Sequence, residues 1–547
     1  MMKKNFLITV LLTFVLLNKI NAQSAFFEVY PAPKGVKTSD RYKVKVANDK
    51  NKSDSFVYYS TPLDDDSPKA ESTRNGVIKG INENEALRNF YFGGKTADLN
   101  TEQSVAWTCF SFKGKIQITV ENSSEIKSFK ILPSNLNLKG TILNNQLRFT
   151  LDNPSKLAVV INGDYLNPLF IFGDAPEVTV PSKTAVGTLV IKEGTNFKNI
   201  REKVKKASVI YFEPGVHPIG VAFEIFSNQT VYLAGGAYLI GTLHGMMASN
   251  VTIRGRGVLA GDSISRAEVL AMKSVNDPKI KVAKRMRYHA INMLSAENET
   301  SWNSFADNPG KGCDNLTIEG ITIASPRQFF IRATGVPITI HNVKMLGSWP
   351  YNTDGVSTIG QGHTTVFDCF FNCNDDAIYV SPNYCNIHHC TFWQGSNGCV
   401  FQFHWGSSPV NEQGGYIHDC DIIHSGHVAE ANNRMLIGSR KSGPGDLSDV
   451  YFKNIRIEGP VWSLFRIETN ESGNVGSFKN IHFENISVNG FVLNKSTIKS
   501  SKNRKEGQTS TSWIKDIYFK NVTINGKKIT KDDFDIGTFQ VENIVIE

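Results

Sequence analysis

Two rhythms of apolar and polar positions divide the chain. From residue 24 to about 175, short apolar runs alternate with polar turns: Phe26-Phe-Glu-Val29, Tyr42-Lys-Val-Lys-Val46, Ser55-Phe-Val-Tyr-Tyr59, Ala106-Trp-Thr-Cys-Phe110, Ile116-Gln-Ile-Thr-Val120, Leu147-Arg-Phe-Thr-Leu151 and Leu157-Ala-Val-Val-Ile161. A period of two with repeated breaks is the pattern of strands that each bury one face, and it predicts a β-sandwich. No helix-length apolar stripe interrupts it, and its aromatic residues are expected to pack the core. The polar, proline-bearing stretch from Gly173 to Lys183 marks a boundary, which places the sandwich at residues 23–180.

Beyond that boundary the runs shorten to between two and five β-forming residues, separated by Gly, Asn and Asp. A frame emerges of the form apolar, two mostly polar residues, apolar: Ile318-Glu-Gly-Ile321, Ile340-His-Asn-Val343, Val366-Phe-Asp-Cys369, Ile387-His-His-Cys390, Ile417-His-Asp-Cys420, Phe452-Lys-Asn-Ile455, Phe483-Glu-Asn-Ile486 and Phe519-Lys-Asn-Val522. Successive frames start 22, 26, 21, 30, 35, 31 and 36 residues apart. Each coil of a right-handed parallel β-helix supplies three short strands and stacks its equivalent residue on the one before, which needs a period near the lower of these values. A propeller blade of four antiparallel strands needs about twice that minimum. The fold class is therefore all-β, an N-terminal sandwich followed by a right-handed parallel β-helix over residues 181–547.

Cys369, Cys390 and Cys420 occupy one position of successive frames, where small buried thiols can stack without pairing. Disulfides or a zinc site stand as alternatives, although no Cys-x-x-Cys knuckle completes four ligands. His388, His389 and His418 fall on the polar frame positions and are expected to decorate the outside of the coils.

Residues 1–22 read as a secretory signal: Lys3 and Lys4, an apolar run from Phe6 to Leu17, then Asn21-Ala22 before Gln23. The run falls short of the ~20 residues that span a bilayer, so a secreted or periplasmic protein without membrane insertion is expected. The 547 residues carry a formal charge of +8, and removing the signal, with three lysines and no acid, leaves +5. So weak an excess gives nucleic-acid binding no support. There is no Gly-x-Gly-x-x-Gly loop, Walker sequence or Gly-x-Ser-x-Gly elbow. A monomer without cofactor or metal is expected.

The chemistry concentrates in Gly347-Ser-Trp-Pro-Tyr-Asn-Thr-Asp-Gly355 and Asn374-Asp-Asp-Ala-Ile378. Asp354 and Asp375 are 21 residues apart, equal to the 366-to-387 coil spacing, which predicts acids on one face of adjacent coils. Asp376 joins them only if the backbone leaves regular strand geometry there, because neighbours in a strand point to opposite faces. Carboxylates crowded in one groove resist simultaneous ionisation, so one keeps a proton while another is a base, the division of labour that glycoside hydrolysis needs. Turn capping by the acids, or a calcium site made from them, is the competing reading.

Trp349, Tyr351, Trp393 and Trp405 are candidate platforms for a sugar ring, and Asn352, Gln394, Asn397, Gln402 and His404 are candidate partners for hydroxyls. Arg434 and Glu468 are further groove candidates. For each, packing or an ordinary salt bridge is the alternative.

These motifs resemble glycoside hydrolase family 49, the dextranase and isopullulanase family, which is distantly related to the polygalacturonases. The resemblance spans most of the chain and rests on Trp349-Pro-Tyr-Asn-Thr-Asp-Gly355, Asn374-Asp-Asp-Ala377, Trp393-Gln-Gly-Ser-Asn-Gly398 and Phe401-Gln-Phe-His-Trp-Gly406. It implies that Asp375 is the general acid and that Asp354 and Asp376 hold and deprotonate a water in an inverting attack. Where polygalacturonases carry Gly-His-Gly, this chain has Gly395-Ser-Asn-Gly398, and their Arg-Ile-Lys motif is not evident, which weakens galacturonate as substrate. The substrate so implied is dextran, cleaved internally at α-1,6 bonds. The alternatives are isopullulanase-like α-1,4 hydrolysis, another galactan or a sulfated algal glycan, a lyase, and a non-catalytic carbohydrate-binding protein.

Overall fold

The computed structural model describes residues 25–62, 74–271, 287–294, 313–359, 363–380, 384–403, 411–431, 433–441, 443–470, 475–501 and 511–547. The signal sequence at 1–22, His404 and Trp405 lie outside them. The first part is a sandwich of two sheets. One has strands Lys52–Ser55, Tyr42–Ala47, Ile116–Asn122, Gln146–Leu151 and Gly140–Leu143 in that order; the other runs Phe26–Val29, Val105–Lys113, Leu169–Asp174, Ser155–Ile161 and Phe129–Leu132, with Tyr58–Ser60 also paired to Val105–Lys113. Strict alternation in Tyr42–Ala47 sends Tyr42, Val44 and Val46 inward. They meet Phe110, Leu157, Val159 and Ile171 of the facing sheet.

The expectation that no helix interrupts this region is corrected. Helices α1, Arg74–Glu83, and α2, Glu85–Phe92, lie between strands Tyr58–Ser60 and Val105–Lys113. Their signals are local: Asn84 caps α2 by accepting the Leu87 N–H, and Gly93 ends it in the left-handed conformation at φ 58°. Ile81 and Leu87 pack on Val428 of the second part. Gly80 permits this approach, since a Cβ there would lie 2.5 Å from Val428 Cγ2.

The second part is a right-handed parallel β-helix, from Thr188–Ile191 to Val541–Ile546. The eight frame residues Ile318, Ile340, Val366, Ile387, Ile417, Phe452, Phe483 and Phe519 are register partners in succession. Their side chains form one continuous apolar column in the core. The third frame residue, Gly320, Asn342, Asp368, His389, Asp419, Asn454, Asn485 or Asn521, is in each case a left-handed corner, with φ from 51° to 79°. Asn and Asp tolerate that conformation better than other side chains, and here they also stack: Asn521 Nδ2 donates to Asn485 Oδ1 at 2.8 Å and Asn485 Nδ2 to Asn454 Oδ1 at 3.1 Å. Cys369, Cys390 and Cys420 are fully buried, and all eight cysteines are free thiols. On the outer face Phe367, His388 and His418 stack in turn, 5.1 and 5.0 Å apart.

The two parts share a core. Trp107, Val160, Phe170 and Phe172, on the outer face of the second sandwich sheet, pack against Ala260, Leu346, Phe370 and Trp393 of the solenoid. Strand Ser155–Ile161 is therefore buried on both faces along most of its length, which accounts for its unbroken apolar run. At the centre of this contact the buried Lys344 ammonium meets Asp174 Oδ2 at 2.5 Å, with Arg256 Nε 3.6 Å from the same oxygen. Burial of one wall of the solenoid leaves the adjoining turns, where the acids sit, at the edge of the sandwich.

Candidate active site

Asp354, Asp375 and Asp376 come from two successive turns of the solenoid. Residues 374–377 lie between strands Phe370–Cys373 and Ile378–Tyr379, so the backbone is free of the strand alternation that would separate adjacent side chains. The stacking partner differs from the one predicted. Val356 registers with Ile378, and the Gly355 N–H donates to Asp376 O at 2.9 Å, so Asp354 stacks on Asp376 at a spacing of 22 residues, with Asp375 beside them. The one-residue difference arises because 366-to-387 measures a different strand column of the coil.

One carboxylate oxygen from each of the three acids lies within 4.8 Å of the others, and the residues are only 2 to 5% exposed. Their hydrogen bonds are unequal. Asp376 receives the Cys399 N–H on Oδ1 at 2.9 Å and, on Oδ2, the Gln402 amide at 3.2 Å and the Tyr379 hydroxyl at 3.3 Å. Asp375 receives the N–H of Asn352 on Oδ2 at 2.7 Å and its neighbour's N–H on Oδ1 at 3.0 Å. Asp354 receives the Tyr379 hydroxyl on Oδ2 at 2.8 Å, while its buried Oδ1 has no partner among the described residues.

Burial, and after it the charge of Asp376, pushes the Asp375 carboxyl up to about 7. Asp354 rises well above the usual carboxylate range, first through burial and then through repulsion by Asp375 and Asp376. Asp376 is held by donors on both of its oxygens. The cluster thus sets two carboxyls that burial and mutual repulsion bias toward the protonated form beside a third that accepts three hydrogen bonds.

Close packing of the next turn fixes this geometry. Gly398, at φ 70°, lies over the Asp375–Asp376 peptide, where a Cβ would fall 2.2 Å from Asp376 N. Its carbonyl takes a 2.7 Å hydrogen bond from His427 Nε2, a ring that burial keeps neutral by lowering it to about 3. Gln394 Nε2 donates to Asp375 O at 3.0 Å and to Asn397 O at 2.6 Å.

This packing fixes where the sugar-contact candidates lie. Trp393, 4% exposed, is wedged against His424 at 4.4 Å and Phe170 at 5.4 Å in the shared core. Gln394 and Gln402 are buried and spend their amides on the acid turn and on Asp376. Arg434 is also buried, with Nη1 on Ala429 O at 3.0 Å. Asn397 bonds the Asp375 side chain, and Asn352 acts through its backbone N–H. Trp349 and Tyr351 are half-buried beside the acids, with the Trp349 indole N–H given to Ser60 Oγ of the sandwich at 2.9 Å. Glu468 lies three coils further on, half-buried and 3.7 Å from Arg466 Nε.

Sequence reasoning missed Tyr379 and Cys399; Asn433, in the groove segment Asn432-Asn-Arg434, has its amide 3.5 Å from Asp375 Oδ1. Tyr379 had a signal: it follows the inward Ile378 in the strand after the acid pair, so alternation aims it toward the acids.

A solenoid that carries a buried acid cluster beside a sandwich has counterparts among known proteins. No family model matches the chain. It is 27% identical to the dextranase of Arthrobacter globiformis over 336 residues, 58% of this chain and 45% of that one, so the match spans about half of the relative's length. It is 23% identical to the isopullulanase of Aspergillus niger over 553 residues, 93% of this chain and 87% of that one. Dex49A from Penicillium minioluteum has the same fold, with a TM-score of 0.64 at 20% identity over 94% of this chain and 96% of that one.

Proposed function

We propose that the protein is an inverting, endo-acting glycoside hydrolase that cleaves α-1,6-glucosidic bonds of a dextran-like polysaccharide, exported and active as a monomer. The observation that carries the reading is the buried cluster in which Asp354 stacks on Asp376 with Asp375 beside them. Its similarity to proteins named dextranase supports the choice of glucan.

In this reaction Asp375 gives its proton to the departing glycosidic oxygen as the bond to the anomeric carbon breaks. A water held between Asp354 and Asp376 forms the new bond from the opposite face and passes its proton to Asp376. The raised Asp375 suits a donor that must be protonated near neutral pH, and the donors around Asp376 suit a group that must stay anionic. Two-carboxylate inverting sites leave ~6.5–9.5 Å for the water; here the stacked pair itself would cradle it, which makes product stereochemistry the decisive property. The same carboxylates satisfy a calcium ion less well, because such a site needs about six to eight oxygen ligands, whereas the neighbours here are N–H and O–H donors.

Product analysis after incubation with dextran, pullulan, polygalacturonate and an algal galactan tests the assignment. Isomalto-oligosaccharides from dextran are expected. Cleavage of pullulan alone would favour the α-1,4 reading, which the nearly full-length match to isopullulanase supports, and cleavage of none would overturn the reading.

A further inference from the structure

The sandwich and the solenoid enclose a cavity of about 270 Å³ beside the acid turn. Its walls include Tyr58 and Trp107 from the sandwich and Tyr238, Arg327 and Trp349 from the solenoid. Three of these rings form a stack, with Tyr58 5.3 Å from Trp107 and 6.1 Å from Tyr238, nearly parallel to both. Exposed Lys34 and Lys37 line it as well and mark its opening to solvent.

We propose that this junction cavity is a subsite for the glucan chain, holding a glucosyl unit on the N-terminal side of the cleavage point. The proposal rests on the glucanase reading above and deepens it by assigning the second place at which the same polymer is gripped.

The cavity lies in line with the acids. Trp349 lines it and belongs to the turn that ends in Asp354. Arg327 occupies the equivalent turn one coil earlier and Asp262, at the rim, two coils earlier, as the pairing of strands Val258–Ala260, Thr322–Ala324 and Lys344–Leu346 fixes. At ~4.8 Å per coil the cavity centre is roughly 5–10 Å along the solenoid axis from Asp354, a span that a short oligosaccharide bridges.

Its chemistry suits a sugar. Aromatic walls from Tyr58, Trp107, Tyr238 and Trp349 are set among hydroxyl and charged groups such as Ser60, Asp262 and Arg327, a composition that can take an apolar ring face and orient hydroxyls. Trp107 is 1% exposed and its Nε1 has no hydrogen-bond partner among the described residues. A buried N–H left unpaired is destabilising, and a hydroxyl oxygen in the cavity would accept it. Asp262, which already takes the Tyr238 hydroxyl, places a carboxylate at the mouth. Trp349 is held by Ser60 Oγ, which itself lies 3.1 Å from Ser325 Oγ, so the wall shared by cavity and acid turn is pinned from both parts of the molecule.

The test uses the full chain with Asp375→Asn, so that bound sugar is not consumed, titrated calorimetrically with isomaltose and with isomaltohexaose. The longer sugar is expected to bind more tightly. Trp107→Phe, which keeps the ring and removes the N–H, is expected to weaken isomaltohexaose about five-fold, and Val36→Trp, which fills the cavity from its half-buried rim, to remove the advantage of length. Isomaltose, which occupies the positions next to the acids, should be unaffected by either. If both sugars bind and neither substitution changes the length dependence, the subsite is overturned while the glucanase reading stands. If neither sugar binds the Asp375→Asn protein, the glucanase reading fails and the subsite with it. Should Trp107→Phe not fold, Val36→Trp alone decides.

Discussion

Replacing Asp375 with Asn removes a proton donor and a buried charge at once, and different measurements read the two losses. Without its donor, the departing oxygen leaves as an alkoxide, and loss of general acid catalysis is worth ~10²–10⁴ in rate. Turnover of dextran should fall by that factor with KM little changed, since the side chain keeps its shape and its acceptor oxygen. The stability effect follows from the shift of the carboxyl from 3.8 to about 7, which corresponds to roughly 4 kcal/mol. The folded-state value is raised, so between those limits the folded chain retains a proton that the unfolded chain releases. This group therefore costs nothing below about pH 4, and its penalty grows to the full amount as pH rises through about 7. Asn carries no such penalty. Unfolding by denaturant at about pH 4 and again at about pH 8 should show the variant gaining up to roughly 4 kcal/mol on the wild type between the two conditions. A constant difference at both pH values, or turnover within tenfold of wild type, would refute the placement of Asp375 as a buried acid.

Tyr379→Phe removes the hydroxyl that donates to Asp354 at 2.8 Å and to Asp376 at 3.3 Å. Losing a donor to the ionised base raises its pKa, so the acidic limb of the kcat profile should move to higher pH while Tm changes little; an unmoved limb would remove Tyr379 from the site. Phe483→Ala opens a hole between Phe452 and Phe519, 5.2 and 4.8 Å away in the stacked column, and should cost about 3–5 kcal/mol in chemical denaturation. A loss below 1 kcal/mol would mean the column is not close-packed. Chelation with EDTA should leave turnover unchanged, and a loss restored by calcium would give the acid cluster to a cation instead.

The repeating part of the fold was legible because a solenoid prints its register directly into sequence. The frame residues from Ile318 to Phe519 recur as stacking partners, whatever the length of the turns between them. Even the polar corner of each frame had a physical cause in the left-handed φ that Asn and Asp accept. Helices α1 and α2 were obscured because Gly76 and Gly80 break the apolar stripe, and Gly80 is there for contact with Val428, a tertiary fact. That Asp354, Asp375 and Asp376 lie together was legible because their spacing is close to the coil period. The burial of several sugar-contact candidates was not legible. Trp393 and Gln394 share the strand Thr391–Gln394 covered by the sandwich, and nothing in the local pattern says that a second domain closes over that strand.

Proton NMR of the first products of dextran cleavage by the full-length protein tests the central claim most directly, because stereochemistry reports how water reaches the anomeric carbon. A water held by Asp354 and Asp376 and a proton supplied by Asp375 produce the β anomer first, with the α signal growing only by mutarotation. Appearance of the α anomer first would contradict single displacement and make one of the three carboxylates a covalent nucleophile.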